Sequence, residues 1–257
     1  MDPEQYDIMS WAEDRHWWYM GLRDAIGCCL QHPSMRLPAN PVVLDVGCGT
    51  GANLRYLHSL LKPSYLAGFD LSELALKHAR RKCPDANVYQ SDIRQPELHR
   101  TAFDLIVSSD VLYVTGIEET FQGLLELTRA LKPGGLCVWN LPAYDWLTSE
   151  HDRVVHTRER YTLSRLRKLL CDLDLECVRI SYRMFALFPL IVLKRLPSLF
   201  LRSRSSSNSD LRQPADWLNR FFFRTLQMEN RLISRGHHLP WGSSIFVVGG
   251  KRKGNSH

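Results

Sequence analysis

The stretch Val42-Val43-Leu44-Asp45-Val46-Gly47-Cys48-Gly49-Thr50-Gly51 decides the fold. An apolar run rich in β-branched residues enters three alternating glycines, and the helical pattern Ala52 to Leu61 follows, so the reading is strand, tight turn, helix. Glycine permits the turn and lets a ligand approach the backbone, whose free N–H groups open onto the helix start. A nucleotide-like ligand is implied. Alone the run is ambiguous, because Gly47, Gly49 and Ala52 also satisfy the G-x-G-x-x-G/A dinucleotide pattern. Asp70 follows about twenty residues on, at the end of a second strand, where a carboxylate can accept both ribose hydroxyls. That placement is shared with nicotinamide enzymes, and Asp70 could instead cap the helix starting at Ser72.

Working outward, apolar runs alternate with helical stretches, an order that calls for a parallel sheet covered on both faces. Strands are expected at Val42 to Val46, Tyr65 to Asp70, Asn87 to Gln90, Phe103 to Ser108 and Leu136 to Leu141. Helices are expected at Ala52 to Leu61, Ser72 to Lys82 and Ile117 to Leu131, the last ended by Lys132-Pro133-Gly134-Gly135. Beyond these, Thr162 to Cys171 reads as a helix, and Leu175 to Tyr182 and Ser244 to Gly249 as strands. Residues 184–243 are too many for a loop and are read as a helical lid inserted between the last two strands. Within the insertion, Arg202 to Asp210 is serine-rich, while Pro214 to Ile233 carries the apolar stripe Trp217, Leu218, Phe221, Phe222, Leu226, Ile233. Residues 1–40 form an aromatic helical cap, with Trp11, Trp17, Trp18 and Tyr19 in a helix or helix pair that either covers the sheet or also lines the site. Residues 41–183 form the ligand-binding core, and residues 244–257 the final strand and a basic tail. The whole is one domain.

The bulk properties fit a globular α/β protein. At 257 residues with 44% hydrophobic and 23% charged residues, the chain can bury a substantial core and is neither fibrous nor disordered. The net charge of +6 is concentrated in Lys194 to Arg204 and Lys251-Arg252-Lys253, separate basic patches rather than a nucleic-acid face. Seven cysteines without C-x-x-C spacing, two of them adjacent at Cys28 and Cys29, suit neither disulfides nor a metal site and point to a reducing cytoplasm. The N-terminus shows no secretory leader. The longest apolar run, Met184 to Leu193, is broken by Pro189 and too short to span a bilayer, although it could touch a membrane surface or a greasy substrate.

Several further segments complete a series: Asp45 two residues before the first glycine, Ser91-Asp92-Ile93 after the third strand, Ser109-Asp110-Val111-Leu112 after the fourth, and Leu131-Lys132-Pro133-Gly134-Gly135 before the fifth. In combination the chain resembles the class I S-adenosylmethionine-dependent methyltransferases. The resemblance implies a Rossmann-like, seven-stranded, mostly parallel sheet with an antiparallel last strand, and S-adenosylmethionine as cofactor. It places Asp45, Gly47 and Gly49 against the methionine portion, Asp70 and Leu71 at the ribose, Asp92 and Ile93 at the adenine, and Asp110 under the sulfonium, with Cys48, Ser91 and Ser109 as further cofactor contacts. A narrower pattern covers most of the rest: His16-Trp17-Trp18-Tyr19 with Arg23, His151-Asp152-Arg153, His156, Arg160-Tyr161-Thr162 and Leu239-Pro240-Trp241-Gly242-Ser243-Ser244. It is similar to a bacterial group of small-molecule methyltransferases, and implies that Tyr19 and Arg23 close over the cofactor, Arg23 at its carboxylate. Many relatives carry Glu-His after the Asp-Val-Leu; here Tyr113-Val114 stand there, so that base is missing.

Methyl transfer needs alignment, exclusion of water and, for some nucleophiles, removal of a proton. The segment leaving the fifth strand should border the acceptor. Its candidates are His151, whose neighbour Asp152 could orient an imidazole, then His156, with Tyr161 and Arg160 as anchors for a polar group or for the next helix. Glu229 falls inside the apolar stripe and needs a partner, for which Arg160 or Arg231 would serve. The expected function is methylation of a small, substantially apolar molecule beneath the Met184 to Leu193 run and Phe221-Phe222-Phe223, at oxygen first, with nitrogen or carbon as alternatives. The rival readings are a non-catalytic cofactor-binding partner subunit and a nicotinamide oxidoreductase. Neither the acceptor nor the oligomeric state is legible.

Overall fold

The computed structural model describes residues 3–112, 117–147, 160–193 and 214–253. His151, His156, the Tyr113-Val114 pair and the serine-rich stretch lie outside them. Helices α1 (Pro3–Arg15) and α2 (Trp17–Leu30) precede β1 (Val42–Val46), α3 (Ala52–Leu61), β2 (Tyr65–Asp70), α4 (Glu73–Lys82), β3 (Asn87–Gln90) and β4 (Phe103–Ser109). Then come α5 (Ile117–Ala130), β5 (Leu131–Pro142), α6 (Leu163–Asp172), β6 (Leu175–Arg183), α7 (Asp216–Ser234) and β7 (Ser244–Lys251).

The seven strands form one sheet in the order β3-β2-β1-β4-β5-β7-β6. Strands β1 to β4 pair in parallel, β5 joins β4 in parallel, and β7 runs antiparallel between β5 and β6. This is the expected Rossmann-like sheet with an antiparallel final strand. Strand β1 is flanked on both sides, which is why Val42 to Val46 is apolar on both faces except at Asp45. Leu44, Val46, Phe69, Ile106 and Trp139 face one core under α5 and α6; Val43, Leu66, Leu105, Val138 and Phe246 face the other under α2, α3 and α4.

Local chemistry sets the helix ends. The Ser72 hydroxyl accepts from the Ala75 amide and Arg80, Arg81 and Lys82 occupy the last turn of α4, while Thr162 caps α6 through the Arg165 amide. One boundary differs from expectation. Leu131 already pairs with Phe103, so Lys132-Pro133-Gly134-Gly135 forms an irregularity inside β5 rather than a turn ahead of it. Pro133 has no N–H for the ladder, and Gly134 sits at φ +80°.

The cap and the insertion form a helix pair. Gly21 of α2 lies against Leu226 of α7 so closely that a Cβ would stand 2.3 Å from its Cδ1. Asn219 accepts the Trp17 amide and donates to the Arg15 carbonyl, and Asn230 donates to the Gly21 carbonyl and to Asp24. Of the expected inward stripe, Leu226 and Ile233 are buried, whereas Trp217 and Phe221 face outward. Asn219, Glu229, Asn230 and Ser234 take the buried positions: Asn219 and Asn230 bond the cap, Glu229 the amides of Phe185 and Ala186, and Ser234 the Arg231 carbonyl of its own helix. Met184 and Leu187 complete a small third cluster with Leu226, Trp17, Trp18, Ile191 and Phe222.

Candidate active site

The parallel strands and β6 end at one edge of the sheet, and the turns there carry the polar groups. Gly47, Gly49 and Gly51 adopt φ values of +68°, +52° and +87°. They do different work. A Cβ on Gly47 would collide with Val111 and one on Gly51 with Ala79, so these two pack the loop against β4 and α4. A Cβ on Gly49 would meet only Glu13 Oε1, at 3.8 Å, so its face is open for a ligand. Asp70 Oδ2 accepts the Gly49 amide at 3.0 Å and Oδ1 accepts the Ser72 amide at 2.9 Å. Asp70 thus tethers both the glycine loop and the approach to α4. Burial raises its carboxyl against the amides of Ser72, Gly49 and Leu71.

Asp45 is completely buried, and neither carboxylate oxygen has a hydrogen-bond partner among the described residues. Its carboxyl is raised well above the usual range by burial, then by the charges of Glu13 and Asp70. Such a group is costly unless a donor or cation arrives. An unpartnered buried carboxylate beside an open glycine loop fits the ammonium end of S-adenosylmethionine, so the residues present suit the implied cofactor.

The cap reaches this spot through Glu13, which the sequence reading missed. Its carboxylate accepts from Thr50 Oγ1 and pairs with Lys82 at 3.1 Å. Burial raises its carboxyl, against Lys82, Thr50 and Arg23. Arg23 donates to the Glu13 carbonyl at 2.6 Å, and burial lowers its guanidinium. Tyr19 is pushed above the tyrosine range by burial and then by the charges of Glu13 and Asp110. A cleft of about 250 Å³ lined by Asp14, Met20, Arg23, Asp24, Tyr56 and Phe223 opens in the cap; neither the glycine loop nor Asp70 or Asp110 lines it.

Farther along the edge the polar groups are joined. Asp110, at φ +60°, accepts from Asn140 Nδ2 at 3.0 and 3.3 Å, and Asn140 Oδ1 accepts from Arg183 Nη1 at 2.9 Å. Desolvation pushes the half-buried Asp110 carboxyl up to about 7, against the Asn140 hydrogen bond and the Arg183 charge. Arg183 is itself fully buried, and its Nε and Nη2 have no hydrogen-bond partner among the described residues. The sequence reading found Asp110 but neither Asn140 nor Arg183; a cation ending an apolar strand was the available signal.

Past β3, Ile93 is buried, while Leu71, just after β2, is exposed. Asp92 is gripped by Arg94, whose Nε donates at 2.9 Å, and that contact lowers its carboxyl. Ser91 and Ser109 lie half-buried at the strand ends, and Cys48 is buried with its thiol raised by burial. Tyr161 is buried, its hydroxyl donating to the Leu112 carbonyl at 3.2 Å, so it braces the β4 turn against the segment leaving β5. Arg160 Nη1 donates to the Ala143 carbonyl. Glu229 accepts the amides of Phe185 and Ala186 at 3.1 and 2.7 Å, with the Arg183 charge nearby; backbone amides take the place given to Arg160 or Arg231. Beside the exit of β5, the rings of Tyr144, Trp146, Tyr182 and Phe188 pack with centroids 5.0 to 6.1 Å apart.

Residues 43–135 match the model of a methyltransferase domain family. The chain is 35% identical over 51% of its length to a Streptomyces venezuelae dTDP-3-amino-3,4,6-trideoxy-alpha-D-glucopyranose N,N-dimethyltransferase, covering 56% of that protein. It is 30% identical over 52% of its length to a Saccharopolyspora spinosa dTDP-4-amino-2,3,4,6-tetradeoxy-D-glucose N,N-dimethyltransferase, covering 51%. The chain thus spans about half the length of these curated relatives. A Haloferax volcanii methyltransferase solved with the Trm112 methyltransferase activator superposes with a TM-score of 0.60 at 19% identity, with 96% of each chain covered. Haemonchus contortus phosphoethanolamine N-methyltransferase 2, solved with S-adenosyl-L-methionine, gives 0.57 at 16% identity, over 89% of this chain and 52% of that one. Residues 43–135 therefore carry a methyltransferase domain, within a chain that shares the fold of S-adenosylmethionine-dependent methyltransferases.

Proposed function

We propose that the chain transfers a methyl group from S-adenosylmethionine to a small, substantially apolar molecule. The observation that carries this reading is the buried Asp45 carboxylate, unpartnered among the described residues and beside the open face of Gly49, with Asp70 fixed on the same loop. When bound, the cofactor supplies an electrophilic methyl group on a sulfonium. Asp45 would hold its ammonium group, Asp70 its ribose hydroxyls, and Ile93 with the Asp92 turn its adenine. Asp110, oriented by Asn140, would face the sulfonium end. Tyr19 and Arg23 close the cap and exclude water, and Tyr161 keeps the β4 turn in register. The aromatic group of Tyr144, Trp146, Tyr182 and Phe188 provides an apolar wall beside the segment that borders the acceptor.

Oxygen is the first reading for the attacked atom, with His151 as base and His156 second. Nitrogen is the second reading, favoured by the two amino-sugar N,N-dimethyltransferases among the relatives; a trans-aconitate 2-methyltransferase from Escherichia coli, 33% identical over 42% of this chain, keeps a carboxylate acceptor in view. Methyl-labelled S-adenosylmethionine offered with panels of apolar alcohols, phenols, carboxylic acids and amines tests the reading. Label in an alcohol or phenol should fall roughly a hundredfold in His151→Ala with cofactor affinity within about threefold. Label only in amines, unaffected by His151→Ala, moves the reaction to nitrogen. Stabilisation by NAD but not by S-adenosylmethionine or S-adenosylhomocysteine in a thermal-shift assay would overturn the assignment.

A further inference from the structure

Helix α7 spends its inner face on the cap and leaves its outer face without a described partner. Trp217, Phe221, Met228 and Leu232 recur at helical spacing and are 67, 56, 67 and 40% exposed. Among them, on the same exposed side, stand Arg220, Arg224 and Arg231, with Arg235 just past the helix as its C-cap. Asp216, at the first turn, is the sole exposed acid of the helix; Glu229 points inward to the amides of Phe185 and Ala186. The apolar character continues at Leu190 and Leu193, 55 and 61% exposed, on the turn whose Ile191 packs with Phe222. No helix of the described residues is long and apolar enough to cross a membrane.

We propose that this face of α7 docks on an anionic lipid surface, lying in the plane of the interface. Two aromatic rings, a methionine and a leucine enter the boundary between headgroups and acyl chains, while four guanidiniums pair with lipid phosphates and carboxylates. Charge complementarity selects this occupant. An apolar stripe alone would suit a second copy of the chain, but a second copy would set four arginines against four arginines. An acidic protein or a polyanion would engage the arginines and leave Trp217 and Phe221 unrewarded. A 19-residue helix with tryptophan and phenylalanine exposed among arginines matches interfacial helices, in which buried apolar area and attraction to anionic headgroups add. The proposal is independent of the methyltransferase reading, since it concerns the side of α7 that faces away from the cap.

Flotation of the full chain with vesicles of phosphatidylcholine alone and of phosphatidylcholine with 30 mol % phosphatidylglycerol (about a third anionic, enough to set a negative surface potential) tests it. Binding should be confined to the anionic vesicles and should weaken in high salt. Trp217→Ser/Phe221→Ser and Arg220→Gln/Arg224→Gln should each lower the partition coefficient about tenfold or more. Their melting temperatures and S-adenosylhomocysteine affinity should match the parent; a pair that fails this control is set aside and the other pair decides. Parent-like binding by the deciding pair, or no binding of the parent to anionic vesicles, overturns the proposal. So does a dimer in sedimentation equilibrium that Trp217→Ser/Phe221→Ser dissociates, which would give the face to a second copy. Binding to heparin that exceeds vesicle binding and survives loss of both rings would give it to a polyanion.

Discussion

Asp45 and Glu229 are both carboxylates set among apolar residues and both buried, one at the ligand edge of β1 and the other in the seam between α7 and the end of β6. Burial raises the Glu229 carboxyl too, but two backbone amides donate to it and the Arg183 charge lies nearby, and these oppose the rise. Asp45 has no donor among the described residues and is raised further by neighbouring carboxylates. The contrast separates a group that completes the fold from one that awaits something outside it. A satisfied buried charge is architecture, whereas an unsatisfied one beside an open glycine is a ligand's place.

The loop beside Asp45 offers the largest break. Gly49→Val places a branched side chain where only Glu13 Oε1 stands within contact range, and should weaken S-adenosylmethionine by roughly a thousandfold or more, the scale of losing several aligned contacts at once. At φ +52° the substitution should also cost about 1 to 2 kcal/mol of stability, leaving the protein folded. Calorimetry with a parallel melt reads both, and micromolar affinity in the variant would remove this loop from the site.

The two carboxylates should then respond in opposite ways. Glu229→Ala strands the amides of Phe185 and Ala186 and should cost about 2 to 3 kcal/mol, roughly 5 to 10 °C in melting temperature. Asp45→Asn should leave the melting temperature of the cofactor-free protein unchanged or higher. Its raised carboxyl means that the folded chain holds the proton more tightly than the unfolded chain, so ionisation at neutral pH works against folding. The same variant should bind S-adenosylmethionine at least tenfold more weakly. A Tm loss in Asp45→Asn equal to that of Glu229→Ala would erase the distinction. Asp70→Ala should fall between them, losing about 1 to 3 kcal/mol of cofactor affinity with the hydrogen bonds it holds; an unchanged dissociation constant would limit Asp70 to its contacts with Gly49 and Ser72.

The same contrast explains what could be read from the residues. Strands β1 to β3 fall at the expected bounds; Gly49 and Asp70 were singled out from local spacing, which brings them to the strand ends, and Asp45 and Asp110 through the resemblance. Glu13, Asn140 and Arg183 were not found, because each acts on a group remote in the chain: Thr50 and Lys82 for Glu13, and Asp110 at the end of the relay. The α7 stripe was half legible. Periodicity marks a helix face, but it does not say that Asn219 and Asn230 turn inward to bond the cap, which rotates Trp217 and Phe221 outward. Lys132 to Gly135 read as a stop because proline and glycine end helices, and the strand had already begun at Leu131.

The smallest effect tests whether Asp110 belongs with Asp45 or with Glu229. It has donors, as Glu229 does, yet burial holds its carboxyl at about 7. The folded chain therefore keeps a proton there between about pH 4 and pH 7 that the unfolded chain releases, and stability of the cofactor-free protein should fall as pH rises through that window. A cationic ligand beneath which Asp110 lies would reverse the preference, returning the carboxyl toward its ordinary value. S-adenosylmethionine should accordingly bind about tenfold more tightly at pH 7.5 than at pH 6, with proton release below pH 7 visible by calorimetry in buffers of different ionisation enthalpy. S-adenosylhomocysteine, which lacks the sulfonium charge, should show a weaker dependence, and Asp110→Asn should flatten both. If the two ligands follow the same pH curve, or if the curve survives Asp110→Asn, then Asp110 is architecture like Glu229, and Asp45 alone answers the cofactor's charge.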